Sequence, residues 1–358
     1  MIDNRSMSLY HPVKTGSLEL DGNLFLAPVA GYTDRAFRSL CVEEGACFSF
    51  TELVSAEALC RRPEQYGFTG NAVPACAAAS LVRRADNEKY YAVQLFGAHS
   101  ESIYKAAALL TPLRPDAVDI NAGCPVPKVV KNGAGSALMK NPSNLGRIVE
   151  AAVRASRESL GSVPVTVKIR SGWDSRSLNY AECARIAVEA GAAMVSLHPR
   201  TRTQNYGGKS DWRHIADLVT RIAVPVAGSG DLYAPQDALQ MLKETGCAAV
   251  MFARGAMGNP FIFSATRSLI ETGAWQPAPF SARITAAMRH LEMLSADVGE
   301  RTACLEMRKQ FCAYTKGFPG GAALREKAVH AETIADYRQI VAEYYNVGLA
   351  LRYNTLYS

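Results

Sequence analysis

Asp119–Ser136 reads DINAGCPVPKVVKNGAGS. An apolar strand, Ala117–Ile120, runs directly into Asn121, Gly123 and Cys124. Pro125 and Pro127 fix φ and remove two backbone donors, so the chain is expected to leave the strand as a loop. Lys128, Lys131 and the small residues Gly133, Ala134 and Gly135 follow. The segment holds a thiol at a strand end, on a stiff turn, beside positive charge. A lone cysteine in such a place is ordinarily a small core residue. This one has company, because other strand ends in the chain also finish in chemically capable residues.

Outward from that segment the same unit recurs. Toward the N-terminus come the apolar runs Leu24–Ala27, Phe48–Leu53 and Tyr90–Phe96. Toward the C-terminus come Val165–Ile169, Ala193–Leu197, Val224–Ala227 and Ala248–Phe252. Amphipathic patterns predict intervening helices after Thr33 or Asp34 and over Ser55–Cys60, Ser100–Leu110, Asn144–Leu160, Tyr180–Ala190, Asp211–Arg221 and Pro235–Thr245. Arg61–Lys89 reads as irregular, with Pro63, Gly67, Gly70 and Pro74. Near-continuous apolar strands fit a parallel sheet covered on both faces. Eight βα units predict a TIM (β/α)8 barrel. A doubly wound sheet is the rival, but no GxGxxG opens the first unit.

After Pro260 the pattern changes. Thr272–Ser281 is a Gly/Pro linker, and beyond it strands vanish. Ile284, Ala287, Met288, Leu291 and Leu294 mark an amphipathic helix. Helical patterns recur at about Thr302–Thr315, Ala322–Glu332 and Thr333–Tyr345, which predicts a small all-α bundle. Two domains are expected, a barrel over 1–271 and a helical unit over 276–358. From Gln276 on there are ten Lys/Arg against eight Asp/Glu, so charge alone does not mark the bundle as nucleic-acid binding.

Composition narrows the class. The 358 residues, 48% hydrophobic, can bury a large core. The net charge of +6 permits a polyanionic partner without requiring one. Nine cysteines stand singly, with no CxxC pair and no His/Cys metal spacing, so no metal site is expected. The odd count, a polar N-terminus and the lack of a long apolar stretch point to a reducing, cytoplasmic protein without a membrane span.

Barrel active sites sit at the C-terminal strand ends. Those ends carry Pro28, Glu52, Gln94, Asn121 with Cys124, Lys168, His198, Asp231 and Arg254. The last two, GSGDLY and FARGAMGNP, are glycine-rich and each enters a helix, a position where backbone N–H groups bind phosphate. Arg254 would add charge-assisted hydrogen bonds. Lys168, alone on a buried strand, fits either a Schiff-base lysine or a charge partner.

These residues resemble the tRNA-dihydrouridine synthase family from about Leu24 to Tyr345. The resemblance is carried by LAPVAGYTDRAFR, TELVSAEAL, VQLFG, DINAGCPVPKVVKNGAGSALMK, VKIRSGWD, HPRTRTQNYGGKSDW, the GSGD turn and ARGAMGNPFIF. It implies an FMN-binding barrel followed by a helical RNA-binding domain, reducing uridine in tRNA at the expense of NADPH or NADH. By the resemblance, Cys124 is the proton donor and Lys168 sits beside the flavin N1–C2=O edge. Pro28, Val29, Ala30 and Gln94 contact the flavin ring, and His198 approaches the flavin and its phosphate side. Ser229, Gly230, Asp231, Ala253 and Arg254 cradle the ribityl phosphate. Asn121 contacts the uracil, and Lys128, Arg200, Arg308 and Lys316 are expected RNA contacts. A monomer is expected.

Two positions depart, since the family often has Asn at Ser229 and Gly at Ala253. Ser229 is expected to donate one hydrogen bond, so that contact is weakened rather than lost. Four other readings stand beside this one. They are a flavin barrel acting on free pyrimidines, the same chemistry on ribosomal RNA, a Schiff-base aldolase using Lys168, and a non-catalytic RNA-binding factor.

Overall fold

The computed structural model describes residues 9–68 and 77–356. The polar N-terminal octet, Gly70 and Pro74 lie outside the described residues. Along the chain run β1 (Val13–Thr15), β2 (Leu18–Leu20), β3 (Leu24–Leu26), α1 (Arg35–Glu43), β4 (Phe48–Phe50), the two-residue β5 (Val54–Ser55), α2 (Ala56–Arg61) and α3 (Ala77–Val82). Then follow β6 (Tyr91–Phe96), α4 (Ser100–Leu109), β7 (Ala117–Ala122), α5 (Pro127–Lys131), α6 (Pro142–Ser159), β8 (Val165–Gly172), α7 (Tyr180–Glu189), β9 (Met194–Thr201), α8 (Arg213–Arg221), β10 (Val226–Ser229), α9 (Pro235–Thr245), β11 (Ala249–Phe252) and α10 (Ile262–Thr272).

Eight strands close on themselves in the order β4-β3-β11-β10-β9-β8-β7-β6, with β4 pairing β6. Every pairing around this ring is parallel, as in a TIM barrel.

The period of two along each strand explains why the runs read as apolar. Val165, Val167 and Ile169 of β8 pack outward on the helices, while Thr166, Lys168 and Arg170 alternate with them. The lower interior is filled by Phe25, Phe48, Phe50, Ala92, Ala117, Met194, Ala227, Ala249 and Met251. Phe25 and Phe48 meet edge-on at 5.6 Å, an arrangement that contributes about 1 kcal/mol beyond the area buried. The hairpin β1–β2 was not foreseen. Its Val13 and Leu20 join this interior cluster and stopper the floor. The polar residues are thereby confined to the upper layers.

Below the first loops, Arg38 and Glu88 form a fully buried ion pair at 2.7 Å. Glu88 also accepts from Ser49 Oγ and the Ala85 N–H, and Arg38 donates to the carbonyls of Thr33 and Arg83. The pair is stable there because its remaining donors and acceptors are filled.

After α10 the chain turns at Gly273 and enters α11 (Phe280–Val298), α12 (Glu300–Tyr314), α13 (Gly321–Ala328) and α14 (Ile334–Leu356). Their apolar faces do not form a separate core. Leu291, Phe311, Tyr314 and Tyr337 belong to the same buried cluster as the barrel's outer strand faces and helices. Polar contacts reinforce the seam. His290 Nε2 lies 3.0 Å from the carboxylate of Asp34, which also caps α1, and Arg35 Nε donates to Asp297 at 2.8 Å. Among the described residues no helix is long and apolar enough to cross a membrane.

Candidate active site at the barrel mouth

A cavity of about 260 Å³ opens at the C-terminal ends of the strands. Pro28, Val29, Ala30, Asn121, Cys124, Lys168, His198, Ser229, Gly230, Asp231, Ala253 and Arg254 all line it. Twelve of the expected site residues, drawn from six barrel strands and the turns after them, thus meet at one place.

The Cys124 loop is built by its neighbours. Asn121 Oδ1 accepts from the N–H groups of Gly123 (3.2 Å) and Cys124 (2.9 Å). The Cys124 carbonyl accepts from the Ser136 N–H at 3.0 Å. Gly135, at φ +60°, lies so close that a Cβ there would sit 2.7 Å from that carbonyl oxygen, which is why the third glycine of the motif cannot carry a side chain. The loop is shorter than expected. Pro127 does not prolong it but opens α5, where a missing N–H costs nothing.

Electrostatics set the protonation states. Burial raises the Cys124 thiol, so it is protonated at neutral pH. Burial and the neighbouring Arg170 lower Lys168 to about 8. Among the described residues the Lys168 ammonium makes no hydrogen bond or ion pair, and Asp119 and Cys124 attract it only at longer range. Burial, then Lys168, Arg170, Arg200 and Arg254, push His198 well below its ordinary value, so it is neutral. Its Nε2 lies 3.3 Å from Arg200 Nη1. An arginine can only donate, so Nε2 accepts and Nδ1 carries the proton.

One end of the cavity is strongly cationic. Asp231, at φ +57°, is gripped by Arg200 at 2.8 Å and by Arg254 at 3.1 Å. The Arg254 guanidinium lies over the rings of both Tyr206 (4.8 Å) and Tyr233 (5.1 Å). A Cβ on Gly255 would meet the Leu232 carbonyl oxygen at 2.1 Å, so the last two glycine-rich turns pack backbone on backbone. Lys168, Arg170, Arg200 and Arg254 outnumber the one carboxylate among them, which favours an anion.

Several expected roles change. Arg200 is 2% exposed and its N–H groups are shared among Asp231, Ser210, His198 and the carbonyls of Gly207 and Gly208, so it is turned away from an RNA. The Ser229 hydroxyl donates to the Met251 carbonyl at 3.0 Å, so its proton is not free for a phosphate. The Asp231 carboxylate orders arginines rather than meeting an anion itself. Gln94 is fully buried behind Asn121 and does not line the cavity. Of the outlying cations, Lys128 and Lys316 are exposed, whereas Arg308 is turned inward onto the Ala331 carbonyl.

Other residues were missed. Arg170 lines the cavity and donates to the carbonyls of Gly123, Thr201 and Asn205, tying the loops after β7 and β9 together. A period-two count from Lys168 finds it, provided β8 is continued past Ile169. Tyr206 also lines the cavity; it lies in the HPRTRTQNYGGKSDW segment, which gave it no role of its own. Glu52, named among the strand ends, does not line the cavity; it accepts from the Gly31 N–H at 2.5 Å, and burial lifts its carboxyl to about 7.

A parallel eight-stranded barrel with such a rim is the architecture of a TIM-barrel enzyme. By fold the chain is similar to an old yellow enzyme homologue from Zymomonas mobilis (TM-score 0.51, 13% identity, 77% of this chain and 96% of that one). It is likewise similar to histamine dehydrogenase from Rhizobium sp. 4-9 (TM-score 0.55, 13% identity, 80% and 51%). The model of the dihydrouridine synthase (Dus) family matches residues 25–346, and the chain belongs to that family. A probable tRNA-dihydrouridine synthase of Treponema pallidum is 47% identical over 341 residues, 94% of this chain and 97% of that protein. tRNA-dihydrouridine synthase B of Xanthomonas campestris is 34% identical over the same coverage.

Proposed function

We propose that the protein is a flavin-dependent tRNA-dihydrouridine synthase, which reduces the C5=C6 bond of uridines in tRNA using FMN and NADPH or NADH. The observation that carries this is the pairing, across one cavity, of a half-buried lysine that makes no hydrogen bond or ion pair among the described residues with a protonated thiol. The residues fit FMN. Lys168 is a free positive charge for the electron-rich edge of a reduced ring, and Arg254, with the turns after β10 and β11, makes a phosphate end. Bound FMN, recharged by the nicotinamide nucleotide, supplies hydride to C6.

The chain's own residues do the rest. Lys168 stabilises negative charge beside it. His198, with its proton on Nδ1, is a neutral donor. Asn121 keeps one Nδ2–H, beyond the one given to Gln94, for a uracil carbonyl. As hydride arrives at C6, negative charge spreads over C5 and O4, and Cys124 gives its proton to C5. A base in folded RNA must be swung out, at a cost of a few kcal/mol. Phosphate contacts from Lys128, Lys316 and the helical unit beyond residue 276 would offset that cost. The family and the tRNA-dihydrouridine synthase names of its relatives support tRNA as the substrate.

Cys124→Ala tests the reading by separating the half-reactions. FMN uptake and reduction by NADPH should persist, while single-turnover reoxidation by an unmodified tRNA transcript should slow by roughly 10²- to 10⁴-fold, the contribution of a positioned acid. An unchanged reoxidation rate would remove Cys124 from the chemistry. Reoxidation by free uracil as fast as by tRNA would move the substrate class to free pyrimidines.

A further inference from the structure

Asp119 lies at the bottom of the polar layer, wholly buried. Its Oδ2 accepts from Gln94 Nε2 at 2.6 Å, and its Oδ1 from Thr166 Oγ1 at 2.5 Å. Gln94 Oε1 in turn accepts from Asn121 Nδ2 at 2.8 Å. Asn121 Oδ1 accepts from the Cys124 N–H at 2.9 Å. These bonds form one line from a carboxylate to the backbone of the proposed acid, with the Gly123 N–H joining it as a second donor to Asn121 Oδ1 at 3.2 Å.

The line has a direction, and both of its ends fix it. The N–H of Cys124 can only donate, so Asn121 must present its oxygen upward and its NH2 sideways. Gln94 must then offer its oxygen to Asn121 and its NH2 to residue 119. Residue 119 must accept, which an ionised carboxylate always does. If either amide turned over, two NH2 groups or two oxygens would face each other in a buried layer, where each lost bond costs about 1–3 kcal/mol. Thr166 binds the other carboxylate oxygen and lies outside the line.

We infer that Asp119 is a positioning residue that holds the Cys124 loop in place by fixing the direction of the Asp119–Gln94–Asn121 hydrogen-bond relay. This rests on the reading of Cys124 as the acid. Nothing in the relay touches substrate at Asp119. Its effect reaches the reaction only through where the thiol stands.

The direction argument separates acceptance from charge. Asp119→Asn can still present an oxygen to Gln94 while donating to the Thr166 hydroxyl, so the relay survives without the charge. Asp119→Leu removes the acceptor and releases both amides. Gln94→Met, close in shape, cuts the relay one link higher. Thr166→Val removes a hydrogen bond from Asp119 without touching the relay.

The experiment measures iodoacetamide alkylation of Cys124 in the flavin-free protein across pH, by peptide mass mapping. Buried Cys41 and Cys183 serve as internal standards for folding. Reoxidation of the FMN-loaded, pre-reduced protein by tRNA is measured beside it. In Asp119→Leu and Gln94→Met the loosened thiol should titrate at lower pH and alkylate at least about fivefold faster, while reoxidation slows about 10- to 100-fold. Asp119→Asn and Thr166→Val should stay within about threefold of wild type on both measures. Unfolding would instead speed all three cysteines together, and Gln94→Met then decides if Asp119→Leu does not fold. The inference is overturned if Gln94→Met leaves Cys124 alkylation unchanged, or if Asp119→Asn is as impaired as Asp119→Leu, since charge would then be the cause. Failure of the acid reading is seen separately, as unimpaired turnover in Cys124→Ala.

Discussion

Arg254→Ala removes one guanidinium from the cationic end of the cavity, and the structure allows its cost to be divided. Asp231 keeps both hydrogen bonds from Arg200, so no buried charge is stranded. Arg254 is one-third exposed, so its ion pair with Asp231 contributes about 0–1 kcal/mol to stability. The fold should therefore hold, with the melting temperature of the flavin-free protein nearly unchanged. A charge-assisted hydrogen bond to phosphate contributes about 1.5–3 kcal/mol, which is about 10- to 150-fold in Kd. The assay is fluorescence titration of flavin-free wild type and variant with FMN and, separately, with riboflavin. The ratio of the two affinities isolates the phosphate. It should fall by about 10- to 150-fold in the variant, with riboflavin affinity little changed. If FMN and riboflavin weaken equally, Arg254 acts on the ring or on the fold, and the phosphate end has been misassigned.

Two further predictions concern proton-linked stability. Glu52 is raised to about 7 in the folded protein from about 4.3 when unfolded, so its favourable contribution is complete below the unfolded value and lost as pH rises to the folded one. Glu52→Gln, which can still accept from the Gly31 N–H, should match wild type near pH 4 and exceed it in thermal stability from about pH 7 upward; a gap independent of pH would exclude the carboxyl as its source. Asp34 has the opposite sign, because His290 and the Phe37 N–H outweigh its burial and hold it below the usual range. Its contribution is full above an unfolded value of about 3.9 and drains as pH falls through the lower folded value. Asp34→Asn keeps the α1 cap but loses the charge, so it should be less stable than wild type at neutral pH and converge with it in acid; denaturation across pH would contradict this if the gap stayed constant.

The barrel was legible because its outer strand faces are covered by helices, which leaves apolar runs of strand length. Strand ends were less legible for a physical reason. Polar residues normally announce a loop, but in β8 and β9 they face a polar lumen. Both strands therefore run on, to Gly172 and Thr201, carrying Arg170 and Arg200 on the inward face. That extension hid Arg170 and made Arg200 look like a rim residue, since the loop at Gly207–Ser210 and Asp231, which take up its donors, are folded onto it only in the tertiary structure. Helix α10 escaped notice because no side chain caps its start. The relay from Asp119 to Cys124 could not be read at all. Its members are adjacent only through the β6–β7 register, Gln94 beside Asp119.

Helix α12 reaches the first βα loop directly, with Gln310 Nε2 3.3 Å from the carbonyls of Gly31 and Tyr32 and from Asp34. The three residues just before Gly31 in that loop, Pro28–Ala30, wall the cavity. The sequence therefore suggests a seam near Gly273 that the packing does not respect. A chimaera joined there, giving this barrel the helices of a relative, would place a foreign side chain against the loop that shapes the reaction chamber. The exchangeable part is two stretches far apart in the chain, the helices and the loop they hold. A graft that aims to redirect which RNA is modified without altering the chemistry must move both together.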